Sequence, residues 1–226
     1  MKKTIGSLNE SSLHDAVKQL YVNDGAVTEA EEGGYVVDVL QKDRIVEIQT
    51  GSFSNIKTKL LSLCEKHPVH LVYPLPEKKI ISVYDARENI LLYRRKSPKK
   101  GRLQDTVKEL CRIVPVLALP GFSLEVLFVE IEEVRRDDGN GSWRRKGVSI
   151  ADRRLVDVYS SVVFSCPADY LQLLPEGLPD EFTNKDIASL WKTTPRNAQG
   201  VSYCLKGLGL IRVCRRQGKA QVFCRA

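Results

Sequence analysis

Hydrophobic positions in the first third of the chain change from helical to alternating spacing and back, which predicts an α/β arrangement. Apolar residues at helical spacing follow Ser11 and Ser12, either of which can cap a first helix. Short β-rich runs come next, separated by turn residues such as Gly33-Gly34. The predicted elements are a helix over 11–22, strands over 26–31, 35–40 and 44–50, a helix over 54–65, and a strand over 69–73 that ends at Pro74 and Pro76.

The middle of the chain predicts further strands that extend this sheet. Predicted strands lie over 79–84, 90–95, 123–135 and 156–164 (the last a strand or a helix), helices over 104–112 and 167–174, and a hairpin turn over 138–141. The stretch 175–179 has the Pro and Gly content of a linker. We therefore predict two domains, over 1–175 and 176–226.

The last fifty residues predict a helix, a short turn, a second helix and a hairpin. Thr183 can cap the first helix, and Thr194 can cap the second. Pro195 then takes the first helical position, where its missing N–H costs nothing. The second helix is predicted over 195–206, and the strands over 210–215 and 220–225.

This succession, with Asp186-Ile187-Ala188 in the first helix and Leu208-Gly209-Leu210-Ile211 after the second, resembles a winged helix-turn-helix. In such a module the second helix enters the major groove of DNA and the hairpin follows phosphates. Asn and Gln can bridge adenine edges and Arg can bridge guanine. The predicted DNA-contacting residues are Arg196, Asn197, Gln199 and Ser202 on the helix and Arg215, Arg216 and Lys219 on the hairpin. The alternative is a module that packs on its own chain or binds another protein.

The net charge of +7 is a moderate excess, and its distribution is more informative than its size. Residues 187–226 contain eight Lys or Arg and no Asp or Glu, which suits a phosphate backbone. A second cluster over 94–102 has six cations in nine positions. It is either a further phosphate contact or a solvated loop, because Pro98 and Gly101 mark it as a loop.

The cysteine spacing and the lack of long apolar runs argue against a zinc-binding, a membrane-spanning and a secreted protein. The six cysteines contain no CxxC pair and no His at metal-ligand spacing, so we expect reduced, mostly buried thiols instead of a zinc site. No stretch approaches the roughly 20 apolar residues of a membrane span. Residues 1–10 lack the apolar run of a signal peptide. We therefore expect a cytoplasmic protein with no membrane association.

The strongest chemical signal is a pair of carboxylates on neighbouring strands. Asp38 interrupts the otherwise apolar strand over 35–40, where an acid is costly without a partner. If the next connection has an even number of residues, Asp38 falls opposite Glu47, about 5 Å apart at Cβ. Gln49 shares that face because side chains alternate with a period of two. These groups predict a hard-cation site; the alternative is a hydrogen-bonded acid beside a polar edge strand.

At these residues the chain resembles the PD-(D/E)XK nuclease superfamily, whose core order is αβββαβ and whose motif is Asp, a spacer, then Glu-x-Lys. Asp38 matches the first acid, Glu47 the second, and Gln49 the lysine, and the resemblance covers roughly residues 10–75. It implies a restriction-endonuclease-like core with added strands. It also implies that both acids and the backbone carbonyl of Ile48 hold Mg²⁺ or Mn²⁺, which polarises the phosphate and acidifies the attacking water.

Gln49 departs from the family's lysine, and an amide can orient water but cannot act as a base near neutral pH. Some members of the superfamily have Gln at this place, and in others the lysine comes from the following helix. Lys57 and Lys59 are the available donors, and the helical wheel favours Lys57 as the catalytic one. His14, at the edge of the first apolar stripe, either contacts a phosphate or positions a water, or is structural.

Two functions remain open from the sequence. The first is a Mg²⁺-dependent DNA endonuclease that holds DNA with its winged helix; a homodimer would suit it, because a double-strand cut usually calls for two active sites. The second, motivated by Gln49, is a catalytically inactive nuclease-like protein that binds DNA or regulates. A small-molecule enzyme has little support, since no phosphate-binding glycine loop, Ser-His-Asp or Cys-His arrangement is recognisable.

Overall fold

The computed structural model describes residues 11–226 as a mixed α/β protein, consistent with α+β, and the mixed class agrees with the prediction. The helices are α1 (Ser12–Gln19), α2 (Lys57–Leu63), α3 (Val107–Leu110), α4 (Val114–Leu117), α5 (Asn184–Leu190) and α6 (Pro195–Gly207). The strands are β1 (Val27–Glu32), β2 (Tyr35–Leu40), β3 (Ile45–Ile48), β4 (Val69–Asp85), β5 (Leu91–Lys96), β6 (Phe122–Asp137), β7 (Val148–Phe164), β8 (Ile211–Gln217) and β9 (Ala220–Arg225). The expectation about a signal peptide concerns residues 1–10 and lies outside the described residues.

In the described chain, seven strands form one sheet in the order β1-β2-β3-β4-β6-β7, with β5 also paired to β4. β2 therefore lies between two neighbours, the central position that its apolar pattern predicts. The hairpin between β1 and β2 turns at Gly33 and Gly34, whose φ values of 57° and 82° favour glycine. The first elements follow the predicted order α-β-β-β-α-β.

The prediction that Pro74 and Pro76 end the fourth strand is wrong, because β4 continues through both to Asp85. A proline lacks only its N–H, and its carbonyl can still join a hydrogen-bond ladder. The carbonyl of Pro76 accepts from the N–H of Gly101 at 3.0 Å. The separate strand predicted over 79–84 is thus the second half of β4.

Several other predicted elements differ in extent from the structure. The helix predicted over 54–65 is a 3-10 turn at Phe53–Asn55 followed by α2, and that over 104–112 is a turn at Leu103–Thr106 followed by α3. The ambiguous segment 156–164 is the second half of β7. The basic run 94–102 begins inside β5, not in a loop. No helix in residues 11–226 is long and apolar enough to cross a membrane.

The chain divides into two compact units. The first comprises 1–50, 72–101 and 126–162, of which residues 1–10 are not described, and the second comprises 51–71, 102–125 and 163–226. The predicted domains, 1–175 and 176–226, stay a prediction.

The core of the first unit lies where α1 packs on the sheet. Ser11 caps α1, its Oγ accepting from the N–H of His14. Leu13 and Val17 of the helix join a buried cluster with Val39 of β2 and with Val46 and Ile48 of β3, together with residues of β4 and β6. This packing fixes α1 beside the ends of β2 and β3.

The second unit contains the two helices, the short connection between them and the hairpin that the sequence predicts. Thr183 caps α5 and Thr194 caps α6, with Pro195 at the first helical position. β8 and β9 form an antiparallel hairpin, and Phe182 pairs with Phe223 at its edge. The local capping signals therefore predicted both helix starts correctly.

In this unit α6 also packs against α3 and α4, a feature that the sequence pattern did not predict. A Cβ on Gly200 would lie 2.7 Å from Cγ1 of Val107, and one on Gly207 would lie 2.6 Å from Cγ1 of Val114. Both distances are shorter than real Cβ contacts, so the two glycines allow the helices to approach. One side of α6 is consequently covered.

Candidate functional site

The register of β2 and β3 places the two predicted acids opposite each other. Val39 pairs with Val46 and Leu40 with Ile45, which is the predicted register. Continued by one residue, it sets Asp38 against Glu47. Glu47 is 2% exposed, so one carboxylate is buried within a strand whose four residues are all buried.

The Asp38 carboxylate is hydrogen-bonded to the backbone of the neighbouring strand. Its Oδ2 accepts a hydrogen bond from the N–H of Ile48 at 2.7 Å. The side chain is 13% exposed, so this bond lies mostly out of water. Such a bond satisfies a backbone donor at the end of the β2–β3 pairing, and it fixes the position of the carboxylate.

His14 completes a compact group of polar atoms at this point. Its Nε2 lies 3.0 Å from the carbonyl oxygen of Ile48 and 3.3 Å from Oδ2 of Asp38. With the proton on Nε2, the ring donates to the carbonyl. The structure therefore brings together His14, Asp38 and Ile48, three of the residues that the sequence analysis singled out.

The other two predicted catalytic residues, Gln49 and Lys57, lie outside this group of contacting atoms. Gln49 is half-buried after β3, and its N–H donates to the carbonyl of Val72 at 2.9 Å. Lys57 is the first residue of α2 in the second unit, and its catalytic role stays a prediction. Within residues 11–226, no group of three or more His, Cys, Asp or Glu side chains is placed to hold a metal.

The predicted DNA-contacting residues are mostly exposed, with two corrections. Ser202 was predicted to be exposed but is 5% exposed, and its hydroxyl donates to the carbonyl of Gln199. Asn197 is half-buried, and its amide donates to Oγ1 of Thr193 at 3.1 Å. Both lose freedom to contact a base, because their side chains make local hydrogen bonds.

The exposed face of α6 is instead a stripe at helical spacing, which we call the α6 stripe. It consists of Arg196, Gln199, Tyr203 and Lys206. Tyr203 and Lys206 are not among the predicted contacts, although each lies three or four residues from the preceding member of the stripe. Tyr203 is 56% exposed, a large aromatic surface for a helix.

The hairpin presents the cations that were predicted. Arg215, Arg216 and Lys219 are exposed, and Arg215 makes an ion pair with Glu181 at 2.8 Å. Arg212 is also exposed on β8 and was missed as a contact. An exposed pair of this kind contributes little to stability, so Arg215 stays available for another partner.

The cysteines are free, as expected, but they are not mostly buried. Among the six, all of which the structure describes, Cys204 is buried, Cys166 is exposed, and the others are half-buried.

Comparison with known proteins places residues 11–165 in a family described as a domain of unknown function, DUF8091. An uncharacterized protein of Treponema pallidum (strain Nichols) is 33% identical over 186 residues, which cover 82% of this chain and 74% of the relative. No solved structure matches. Since the family match covers more than half of the sequence, the chain belongs to the DUF8091 family.

Proposed function

We propose that this protein is a metal-dependent DNA endonuclease of the PD-(D/E)XK type, whose α5–α6 helices and β8–β9 hairpin act as a winged helix that holds DNA. The observation that carries the proposal is the group formed by His14, Asp38 and Ile48. Two of its atoms, Oδ2 of Asp38 and the carbonyl oxygen of Ile48, belong to two of the three ligands that the resemblance implies. The third, Nε2 of His14, is a metal ligand of a different chemical kind.

Two separations within this group are compatible with ligands of one divalent cation. Neighbouring ligands on an octahedral Mg²⁺ lie about 3 Å apart, because bonds of about 2.1 Å meet at right angles. The observed separations from His14 Nε2 are 3.0 Å and 3.3 Å. An imidazole ligand suits a transition metal better than Mg²⁺, so the donor set favours Mn²⁺. His14 would then carry its proton on Nδ1.

The residues around this group have distinct tasks. Asp38 and His14 would hold the cation with the Ile48 carbonyl, and Glu47 lies at the register position opposite Asp38. A bound divalent cation polarises a phosphate and lowers the pKa of its water. The amide of Gln49 would be able to orient a water but not to take its proton.

The second unit supplies the DNA-holding surface. The α6 stripe combines two cations, an amide and an aromatic ring, which suit phosphates, base edges and base stacking respectively. The hairpin adds Arg212, Arg215, Arg216 and Lys219. Because residues 187–226 contain no acid, nothing in this sequence segment opposes a polyanion.

A cleavage assay with plasmid and oligonucleotide DNA tests this function. We expect cleavage in Mn²⁺ or Mg²⁺ and none in EDTA. The Asp38→Ala, Glu47→Ala double variant should be inactive, whereas Asp43→Ala, which removes an exposed acid from the β2–β3 turn, should cleave normally. Cleavage that persists in the double variant would contradict the proposal.

Gln49 favours a second candidate, a DNA-binding protein that has lost cleavage. This function requires no metal, and it predicts DNA binding without cleavage and no Mn²⁺ uptake by calorimetry. Binding of one Mn²⁺ per chain that disappears in Asp38→Ala would argue against it. The two candidates therefore differ in a measurement that needs no DNA substrate.

Removing two hairpin cations should weaken DNA binding without changing the fold. We expect Arg216→Ala with Lys219→Ala to lower affinity about tenfold, because two exposed cations no longer displace counterions from phosphates. The slope of log affinity against log salt should fall by about 2. Fluorescence anisotropy over a salt series measures both.

The matched control removes two exposed cations elsewhere, Lys66 and Arg87, by substitution with Ala. Both double variants lose the same net charge, so only a localised contact distinguishes them. An equal change in salt slope for the two would rule out the hairpin as a phosphate-binding surface.

A further inference from the structure

Two free thiols of the second unit lie in contact, far apart in sequence. Cys111 follows α3 and Cys204 lies within α6, and their Sγ atoms are 3.4 Å apart. The residues are separated by 93 positions. A disulfide between them would therefore close a long loop of the chain.

The approach of these thiols is built into the packing of α6. Gly200 precedes Cys204 by one helical turn, and a Cβ there would lie 3.4 Å from Sγ of Cys111. The thiol of Cys111 also donates to the carbonyl of Gly200 at 3.5 Å. The glycine thus leaves the space in which Cys111 meets Cys204.

Only one of the two thiols is accessible. Cys111 lines a groove of about 600 Å³ together with the cationic side chains of Lys108, Arg112 and Arg196. Cys204 is completely buried behind it. A small polar oxidant can therefore reach Cys111 first, and only Cys111 can present Cys204 with an oxidised sulfur.

We propose that Cys111 and Cys204 form a reversible disulfide when the protein meets a peroxide. The Cys111 thiolate attacks the peroxide: an S–O bond forms, the O–O bond breaks, and the leaving hydroxide is protonated to water. The Cys204 sulfur then attacks that of Cys111: the S–S bond forms, the S–O bond breaks, and the departing hydroxide takes the Cys204 proton. Two thiols thus lose two electrons and one hydrogen peroxide becomes two waters.

The electrostatics agree with this order of events. A hydrogen bond from the Cys204 thiol, assisted by the charge of Arg112, lowers the pKa of Cys111. The same hydrogen bond and burial raise the pKa of Cys204. A lowered pKa favours the thiolate, which is the reactive form. The sulfur atoms, now 3.4 Å apart, would need to close by about 1.4 Å to reach disulfide length.

The other cysteines are less suited to this reaction. Burial raises the pKa of Cys64 to about 11. Burial and a hydrogen bond with Cys224 raise the pKa of Cys214 on the hairpin. Cys166 is exposed and serves as a matched control.

Peptide mapping of the full chain tests the proposal. After treatment with hydrogen peroxide, alkylation of remaining thiols and trypsin digestion without reductant, we expect peptide 109–112 linked to 197–206. Dithiothreitol should separate them. The melting temperature should rise by about 5 °C or more on oxidation, because the cross-link restricts the unfolded chain.

Single cysteine variants distinguish the Cys111–Cys204 disulfide from other oxidation products. Cys166→Ser should keep the link and the shift in melting temperature, and Cys111→Ser should lose both. Oxidised Cys111 without a link, or a dominant link between 213–215 and 220–225, would overturn the proposal. Mapping of the wild-type chain decides this even if Cys204→Ser does not fold. None of these readouts depends on DNA cleavage or binding.

Discussion

The Asp38→Asn variant is expected to cleave DNA about a thousandfold more slowly than the wild type. During phosphodiester cleavage, a bound metal ion stabilises the charge of the transition state by several kcal/mol. Each 1.4 kcal/mol corresponds to a factor of ten in rate. Asn keeps an oxygen that can accept from the N–H of Ile48, so the bond seen at 2.7 Å can persist. The loss should thus reflect a weakened cation site and not a disrupted strand.

Single-turnover cleavage rates at saturating Mn²⁺ and Mg²⁺ measure this effect, with Asp43→Asn as the control of equal charge change. Urea unfolding of both variants should match the wild type within about 1 kcal/mol. A cleavage rate for Asp38→Asn within tenfold of the wild-type rate would show that Asp38 has no direct role in cleavage. Unchanged DNA binding in the variant would locate the defect in cleavage.

The Glu133→Gln variant is expected to lose about 3 kcal/mol of unfolding free energy. Glu133 is the most buried acid of β6, and it contacts Arg135 at 2.6 Å, Lys79 at 3.0 Å and Arg153 at 3.6 Å. Breaking a buried ion pair from one side leaves its partners without a counter-charge, which costs several kcal/mol. Urea unfolding measures the loss, and Glu88→Gln, an exposed acid on the β4–β5 turn, is the control.

The same substitution should change how stability depends on pH. Burial by itself would raise the pKa of Glu133, but hydrogen bonds from Arg135 and Lys79 outweigh it and hold the pKa below its usual value. A lowered folded-state pKa gives stability that is present above the ordinary value of 4.5 and is lost as pH falls through the folded-state pKa. The gap between wild type and variant should therefore shrink between pH 6 and pH 3. A gap that stays constant would mean that charge plays no part.

The features that the sequence predicted well depend on neighbouring residues. The register of β2 and β3 followed from alternation and a short turn, because a shift by one residue would expose every apolar side chain. The starts of α5 and α6 followed from Thr183 and Thr194, since a cap acts within one turn. Asp38 and Glu47 could be paired on this basis alone.

The features that were missed depend on contacts between distant segments. His14 reaches the carbonyl of Ile48 only because α1 packs against β3, and no local pattern sets that angle. Ser202 is buried beside Asn184 at the start of α5 and Gln221 and Phe223 of β9, which are distant in sequence. The approach of α3 is possible because Gly200 lacks a side chain. The sequence contains Gly200 but does not indicate that Val107 of α3 packs against it.

The length of the α6 stripe has a consequence for the number of base pairs that one chain can read. The α6 stripe runs from Arg196 to Lys206, and ten residues at a rise of 1.5 Å span about 15 Å. Base pairs are stacked about 3.4 Å apart. If α6 reads DNA, one chain therefore inspects about four base pairs, and the sequence preference in a selection from random oligonucleotides should be confined to a tract of that size.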